Sequence, residues 1–477
     1  MRSTIHRIQN YHSDIKRYLL YTLLANVAIG VFSLVFNLYL LELGQREDYI
    51  GLFNGIQTLA MAGTAVIMGR MIERIGIWGV VFWGLVSYLI ASVLLSIVTE
   101  PVLLLLMSAL WGAGTALVFT PVMPFLVALT RNRQRQEVAA VTMSLVSFST
   151  MLGSLVGGYS PVFFSTLFGL ERPGETVFRA TMITGVVIAA FALIPLLKMT
   201  SERKRARPVT QSASSAEPAF SEVTPSSIRW RMIVYISVGA LMALGGGAVF
   251  PFYNVFLQSI GASAGQIGLV FASAWAIAAG VGLFSPWIAT RLGSQRGSVL
   301  VRLAPAPFFL ILIFYPHLWF AVMIHVLRIS SISMSWSMES SFISNVLPAR
   351  AGNSVFGYRS AAWNVGFSIS SLLAGGLIVR YGYGITFGGY AFFMALAMGT
   401  YYFYFRGLAE AAEPDEEEMP AAAEEPLPPV ERVTEDEIPA SLPLAPGRGD
   451  PLIVSSVTSD EETSPLVEDE PNAKDGS

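Results

Sequence analysis

The feature that most restricts this chain is a series of twelve apolar runs, many about 20 residues long, that fills roughly its first 400 residues. A helix of about 20 residues crosses a hydrocarbon core about 30 Å thick. In lipid the backbone must satisfy its own hydrogen bonds, and runs of this length do so as helices. Composition agrees, with 53% hydrophobic and 13% charged residues and a mean hydropathy of +0.57. Soluble chains carry about 25% charged residues. The expected fold is an all-α integral membrane protein with twelve transmembrane helices.

The breaks between runs place spans near 18–43, 49–69, 77–98, 101–128, 138–165 and 178–197, then 232–257, 265–289, 298–315, 318–345, 354–379 and 385–405. The organisation read from these breaks is an N-tail at 1–17, a six-helix bundle at 18–197, a basic linker at 198–231, a second six-helix bundle at 232–406 and a tail at 407–477. No cleavable signal peptide is expected, because 1–17 is polar and the apolar stretch after it is too long for one. The linker carries Arg203, Lys204, Arg205 and Arg207 without apolar periodicity, and can anchor to anionic headgroups. The tail holds 20 acidic residues against three basic ones and is rich in Pro, Ala and Ser, a composition expected to be disordered.

Positive charge sets the expected orientation. With the N-terminus inside, 22 of the Lys and Arg residues that precede the tail fall on the cytoplasmic side, against Arg46, Arg172, Arg179 and Arg380 outside and Arg328 within a span. Both termini are then cytoplasmic, in a plasma or inner membrane.

The two sets of six spans repeat at a constant offset of 217 residues. Asn37 maps onto Asn254, Gly44 onto Gly261, Ile50-Gly51-Leu52 onto Ile267-Gly268-Leu269, Arg74-Ile75-Gly76 onto Arg291-Leu292-Gly293, Phe125 onto Phe342 and Arg133 onto Arg350. Two parallel halves imply a pseudo-two-fold axis along the membrane normal, with a solute cavity between them at mid-depth.

The loop after span two reads Gly69-Arg70-Met71-Ile72-Glu73-Arg74-Ile75-Gly76. It resembles the signature of the major facilitator superfamily, a glycine before an acidic–basic pair followed by Xaa-Gly, with Glu in place of the usual Asp. Thr290-Arg291-Leu292-Gly293 is similar to the weaker second copy. The basic residues that usually close the signature are replaced by Ile77 and Trp78, and span four, 101–128, lacks the arginine common in proton-coupled antiporters of the family. The resemblance implies a fold of two pseudo-symmetric six-helix bundles and a gate role for Gly69, Glu73, Arg74, Gly76 and Arg291.

Charge inside a span is costly and marks candidate function. Span ten places His325, Arg328, Ser335 and Glu339 on one helix face with Ile332 and Phe342. That face is expected to meet the cavity or a partner helix. Arg328, with His325, is a candidate for binding an anionic or polar solute group. Glu339 is a candidate proton carrier, with a structural ion pair to Arg359 as the competing role. Glu73 is expected to join those two in a cytoplasmic charge cluster. Asn37, Asn254 and Asn364 are candidates for lining the cavity, with hydrogen bonding between helices the competing role. Asn26, Gly30 and Ser33 share a face with Asn37, and Ser147 corresponds to Asn364. Tyr39, Trp111, Trp275, Trp336 and Trp363 are possible pocket aromatics.

With no cysteine and four histidines, two of them in the N-tail, no disulfide, metal or cofactor is expected. No nucleotide-binding loop and no nucleophile–base–acid set points to an enzyme, and no nucleic-acid partner is expected. The expected function is secondary transport of a small solute by a monomer in a lipid bilayer, ion-coupled and open to amphipathic compounds. The competing reading is a sensor or adaptor on the same fold, acting through a partner of its acidic tail.

Overall fold

A computed structural model describes residues 13–122, 125–126, 132–171, 173–199, 226–347 and 349–410, so the acidic tail from 411 on, most of the linker and most of the N-tail lie outside the described residues. Every regular element among the described residues is helical. The first half comprises α1 (Ser13–Glu42), α2 (Glu47–Ile97), α3 (Pro101–Phe119), α4 (Asn132–Phe168) and α5 (Glu175–Leu197). In the second half are α6 (Ser226–Val249), α7 (Tyr253–Ser259), α8 (Ala264–Val281), α9 (Ser285–Leu292), α10 (Ser294–Leu303), α11 (Pro305–Phe314), α12 (Leu318–Val346), α13 (Ala349–Tyr381) and α14 (Gly384–Glu410).

Ten helical stretches among the described residues are long and apolar enough to cross a membrane. One of them, α2, contains two spans, because its 51 residues are broken at Gly76, where φ is 73° and ψ is 164°. With α14, 27 residues long and softened in hydropathy by its tyrosines and glycines, the expected twelve are complete. The second half breaks at the equivalent residue, Gly293, with φ 74° and ψ 150° between α9 and α10. Only glycine occupies this backbone region cheaply, so both copies of the signature loop turn for the same reason. The offset of 217 therefore holds in three dimensions.

Side chains at lipid-facing positions are large, apolar and exposed, among them Val66, Leu283, Phe314 and Trp319. Inside the first half, the Trp111 ring centre lies 5.9 to 6.4 Å from those of Phe32, Phe36, Phe53 and Tyr88. The second half buries several charges: Arg302, Arg328, Glu339 and Arg359 all have at most 3% of their surface exposed.

The halves meet at two equivalent helix crossings. On α4 and α8, a Cβ added at Gly158 would fall 2.5 Å from the Cα of Gly268, and one added at Gly268 would fall 2.6 Å from the carbonyl oxygen of Ser154. On α13 and α2, a Cβ added at Gly51 would fall 2.5 Å from the carbonyl oxygen of Ser371 and 3.1 Å from the Cα of Gly375. Ser371, Gly375 and Gly51 are the residues 217 positions away from Ser154, Gly158 and Gly268. Small residues four apart let the backbones touch, the usual device where lipid supplies no hydrophobic drive between helices.

Candidate solute cavity

Both crossings lie toward the end of the bundle opposite the 198–231 connection. Among the described residues, side-chain hydrogen bonds also join the halves at this far end. Asn37 donates to the carbonyl of Pro251 (2.7 Å) and Asn254 to that of Leu34 (2.8 Å). Ser368 donates to Gly55 (2.7 Å), Ser371 to Gly51 (3.3 Å), and the Tyr383 hydroxyl to the Glu47 carboxylate (2.9 Å). Toward the linker end the glycines of the same helices make no such close approach. A Cβ added at Gly69, Gly280 or Gly357 would meet nothing within 4 Å.

Between the halves lies a cavity of about 440 Å³. Its wall takes Gly30, Ser33, Asn37, Asn54, Gln57 and Trp111 from the first half and Phe250, Asn254, Phe271, Trp275, Ile329 and Phe367 from the second. No residue of this wall is charged. It combines aromatic faces with amide and hydroxyl groups, a surface that holds an apolar body and orients it by a few hydrogen bonds.

Asn37 and Asn254 stand in the wall, and in this conformation both side chains also bond across the helix crossing. Asn364 is not in this wall and bonds within its own helix to Ser360 (3.0 Å). Ser147 bonds within α4, and Asn26 within α1. Trp111 and Trp275 line the cavity; Tyr39 receives a hydrogen bond from Arg179, and Trp336 and Trp363 lie elsewhere. Asn54, Gln57 and Thr58 were missed by the sequence reading. Their spacing with Met61, at i, i+3, i+4 and i+7, puts a polar stripe on one face of an otherwise apolar span, which was the available signal.

The polar face of α12 is buried, but it turns into the second half rather than to the cavity. Arg328 contacts His325, its Nη2 lying 3.2 Å from Nδ1. Arg328 also lies 4.1 Å from the Phe250 ring centre and 5.1 Å from that of Tyr253. Glu339 accepts a hydrogen bond from Nη2 of Arg359 (2.8 Å), and Nε of Arg302 stands 3.8 Å from its other oxygen. The Arg359 guanidinium further stacks over Tyr235 at 4.7 Å and Trp336 at 5.2 Å.

The expected cluster of Arg359, Glu339 and Glu73 is thus altered in this conformation. Arg302 takes the third place, and Glu73 and Arg74 are exposed and without an ion pair among the described residues. Arg291 lies over Trp287 at 5.0 Å on the exposed surface. Among the described residues no group of three or more metal-ligating side chains is found.

Comparison with known proteins agrees with this architecture. The profile described as Major Facilitator Superfamily matches residues 18–358. Similar relatives include the multidrug resistance protein MdtH of Yersinia enterocolitica, 26% identical over 129 residues, and that of Yersinia pestis, 27% identical over the same length. Each match covers 27% of this chain and 32% of the relative, so the chain matches about a third of the length of these proteins. In three dimensions it resembles the nucleoside transporter NupG, with a TM-score of 0.64 and 11% identity over 83% of this chain and 100% of that one. It also resembles a D-xylose-proton symporter, with a TM-score of 0.64 and 13% identity over 81% of this chain and 97% of that one. A third likeness is to a bacterial homolog of the human lysosomal transporter Spinster, with a TM-score of 0.63 and 14% identity over 84% of this chain and 98% of that one. An all-helical bundle of lipid-facing spans, a two-fold repeat with matching glycine turns, and a profile match across most of the spans identify the chain as a multi-pass membrane protein of the Major Facilitator Superfamily of transporters.

Proposed function

We propose that this chain is a monomeric secondary transporter that carries a small amphipathic solute by alternating access, with both termini and the linker end in the cytoplasm. The observation that carries this reading is the cavity, walled by both halves, with paired close crossings at the far end and no such close approach at the linker-end glycines Gly69, Gly280 and Gly357. With the linker end inside, as the charge distribution favours, the conformation described faces inward.

The wall supports an amphipathic solute, since it presents rings and amides but no charge. Outward movement of such compounds fits the short match to MdtH. We further infer that transport draws on an ion gradient, protons foremost. Glu339 stands between two guanidinium groups. Its surroundings favour the role of an ion-paired strut within the second half over that of a proton carrier.

The test uses the absence of cysteine in the chain. Cysteines at Glu47 and Tyr383 replace a cross-half hydrogen bond at the far end, and a short bifunctional maleimide can link them. In proteoliposomes, the unlinked protein should move members of a panel of neutral, cationic and anionic amphipathic compounds, faster under an imposed pH gradient. The linked protein should move none. Equal rates before and after linking would refute alternating access.

A further inference from the structure

Among the described residues the second half buries three arginines against a single carboxylate. Arg302 and Arg359 share Glu339. Arg328, fully buried, has no carboxylate within ion-pair distance among the described residues. Its Nε and Nη1 have no hydrogen-bond partner among them, and neither does Nε2 of the adjacent His325. An unmet charge at this depth is expensive in a membrane protein and points to a counter-ion supplied from elsewhere.

The cavity is one ring away. Phe250, Phe271 and Ile329 line it, whereas Arg328 and His325 do not. Phe250 covers Arg328 at 4.1 Å, and Phe271 covers His325 at 4.3 Å between ring centres. Phe250 sits on a weak backbone element, the 3-10 turn Phe250–Phe252 that interrupts α6 and α7. Pro251 lacks an N–H for the carbonyl of Gly247, and Gly245-Gly246-Gly247 precede the turn. The ring thus hangs where the helix is least held.

The repeat sharpens the point. The residue equivalent to Arg328 in the first half is Trp111, an aromatic filler that lines the cavity directly. The second half has a cation with free donors in its place.

We propose that Arg328 and His325 form an occluded subsite for the carboxylate of an amphipathic solute, with Phe250 and Phe271 as the lid between subsite and cavity. The apolar body of the solute occupies the cavity, and its carboxylate takes the free donors of Arg328. This rests on the cavity being the solute site, and it narrows the solute class to organic acids.

The test reads charge beside the cavity whether or not the protein transports anything, so it can fail separately from the transport reading. Single cysteines at Phe250 and, across the cavity, at Met61 are labelled from the linker end with sulfonatoethyl and trimethylammonium-ethyl methanethiosulfonate. Relative to position 61, the sulfonate should be favoured about tenfold at position 250, the scale on which a local field steers charged reagents. Adding Arg328→Gln should remove that preference and Arg328→Lys should keep it. Should Arg328→Gln fail to fold, the comparison between positions 250 and 61 decides alone. Equal preference at the two positions, or no labelling at 250, overturns the proposal. For the carboxylate itself, 4-phenylbutyrate should slow labelling of Phe271→Cys at least threefold more than 4-phenylbutyramide, and equal or no protection by the pair counts against it.

Discussion

Asn37 and Asn254 bond each other's helices reciprocally, each amide donating to the carbonyl three residues before its counterpart, Pro251 for Asn37 and Leu34 for Asn254. The two bonds are one interaction written twice by the repeat, and they close the far end where the halves cross. Hydrogen bonds between membrane helices average about 0.6 kcal/mol. Asn37→Ala or Asn254→Ala should therefore each shift the balance about threefold toward far-end opening. The double variant should shift it close to the product. Spin-label distances between positions 46 and 263 would report the shift, and an unchanged distribution in the double variant would contradict the assignment.

Close approach at the crossings predicts a sharp dependence on size. Gly158→Val or Gly51→Val would drive a side chain into facing backbone. Each variant should fold, because the contact lies between halves, yet hold the far end apart and lose most transport. Gly376→Ala, where an added Cβ meets nothing within 4 Å, should be nearly neutral. Comparable transport by all three would show that the crossing does not close as described.

Loss of Glu339 should cost more than loss of Arg302. Glu339→Gln strands two buried guanidinium groups, whereas Arg302→Met leaves the 2.8 Å pair with Arg359 intact. Breaking a buried pair costs about 3–5 kcal/mol. Thermal unfolding in detergent should rank Glu339→Gln well below Arg302→Met. If Glu339→Gln instead left stability intact and removed only the dependence on a pH gradient, Glu339 would be the proton carrier after all.

The two turns of the signature loops should be equally intolerant of a side chain. Gly76→Ala and Gly293→Ala each force a non-glycine residue into backbone with φ near +74°, at a cost of about 1–3 kcal/mol. Chemical denaturation of the two single variants should give losses that agree within that range. A neutral alanine at either position would mean that the turn relaxes to another conformation.

The sequence by itself determined the spans, the repeat and the places where the chain must turn. Run length, the spacing of Lys and Arg, and two glycines at equivalent positions carry that information locally, and each is visible without knowing any neighbour. Helical periodicity also placed His325, Arg328, Ser335 and Glu339 on one buried face, and depth along the axis brought Glu339 to Arg359. Tertiary structure decided what that face meets. Periodicity tells which residues share a face of one helix, but the rotation and tilt of helices that share no sequence spacing decide which face points where. That is why α12 turned its charges into the second half, Arg302 from α10 completed the Glu339 cluster, and the cavity took Asn54 and Gln57 from α2. Glu73 is exposed and outside that cluster, because whether a loop residue of one half reaches a helix of the other is set by the relative placement of the halves, a rigid-body variable that no local stretch of sequence encodes.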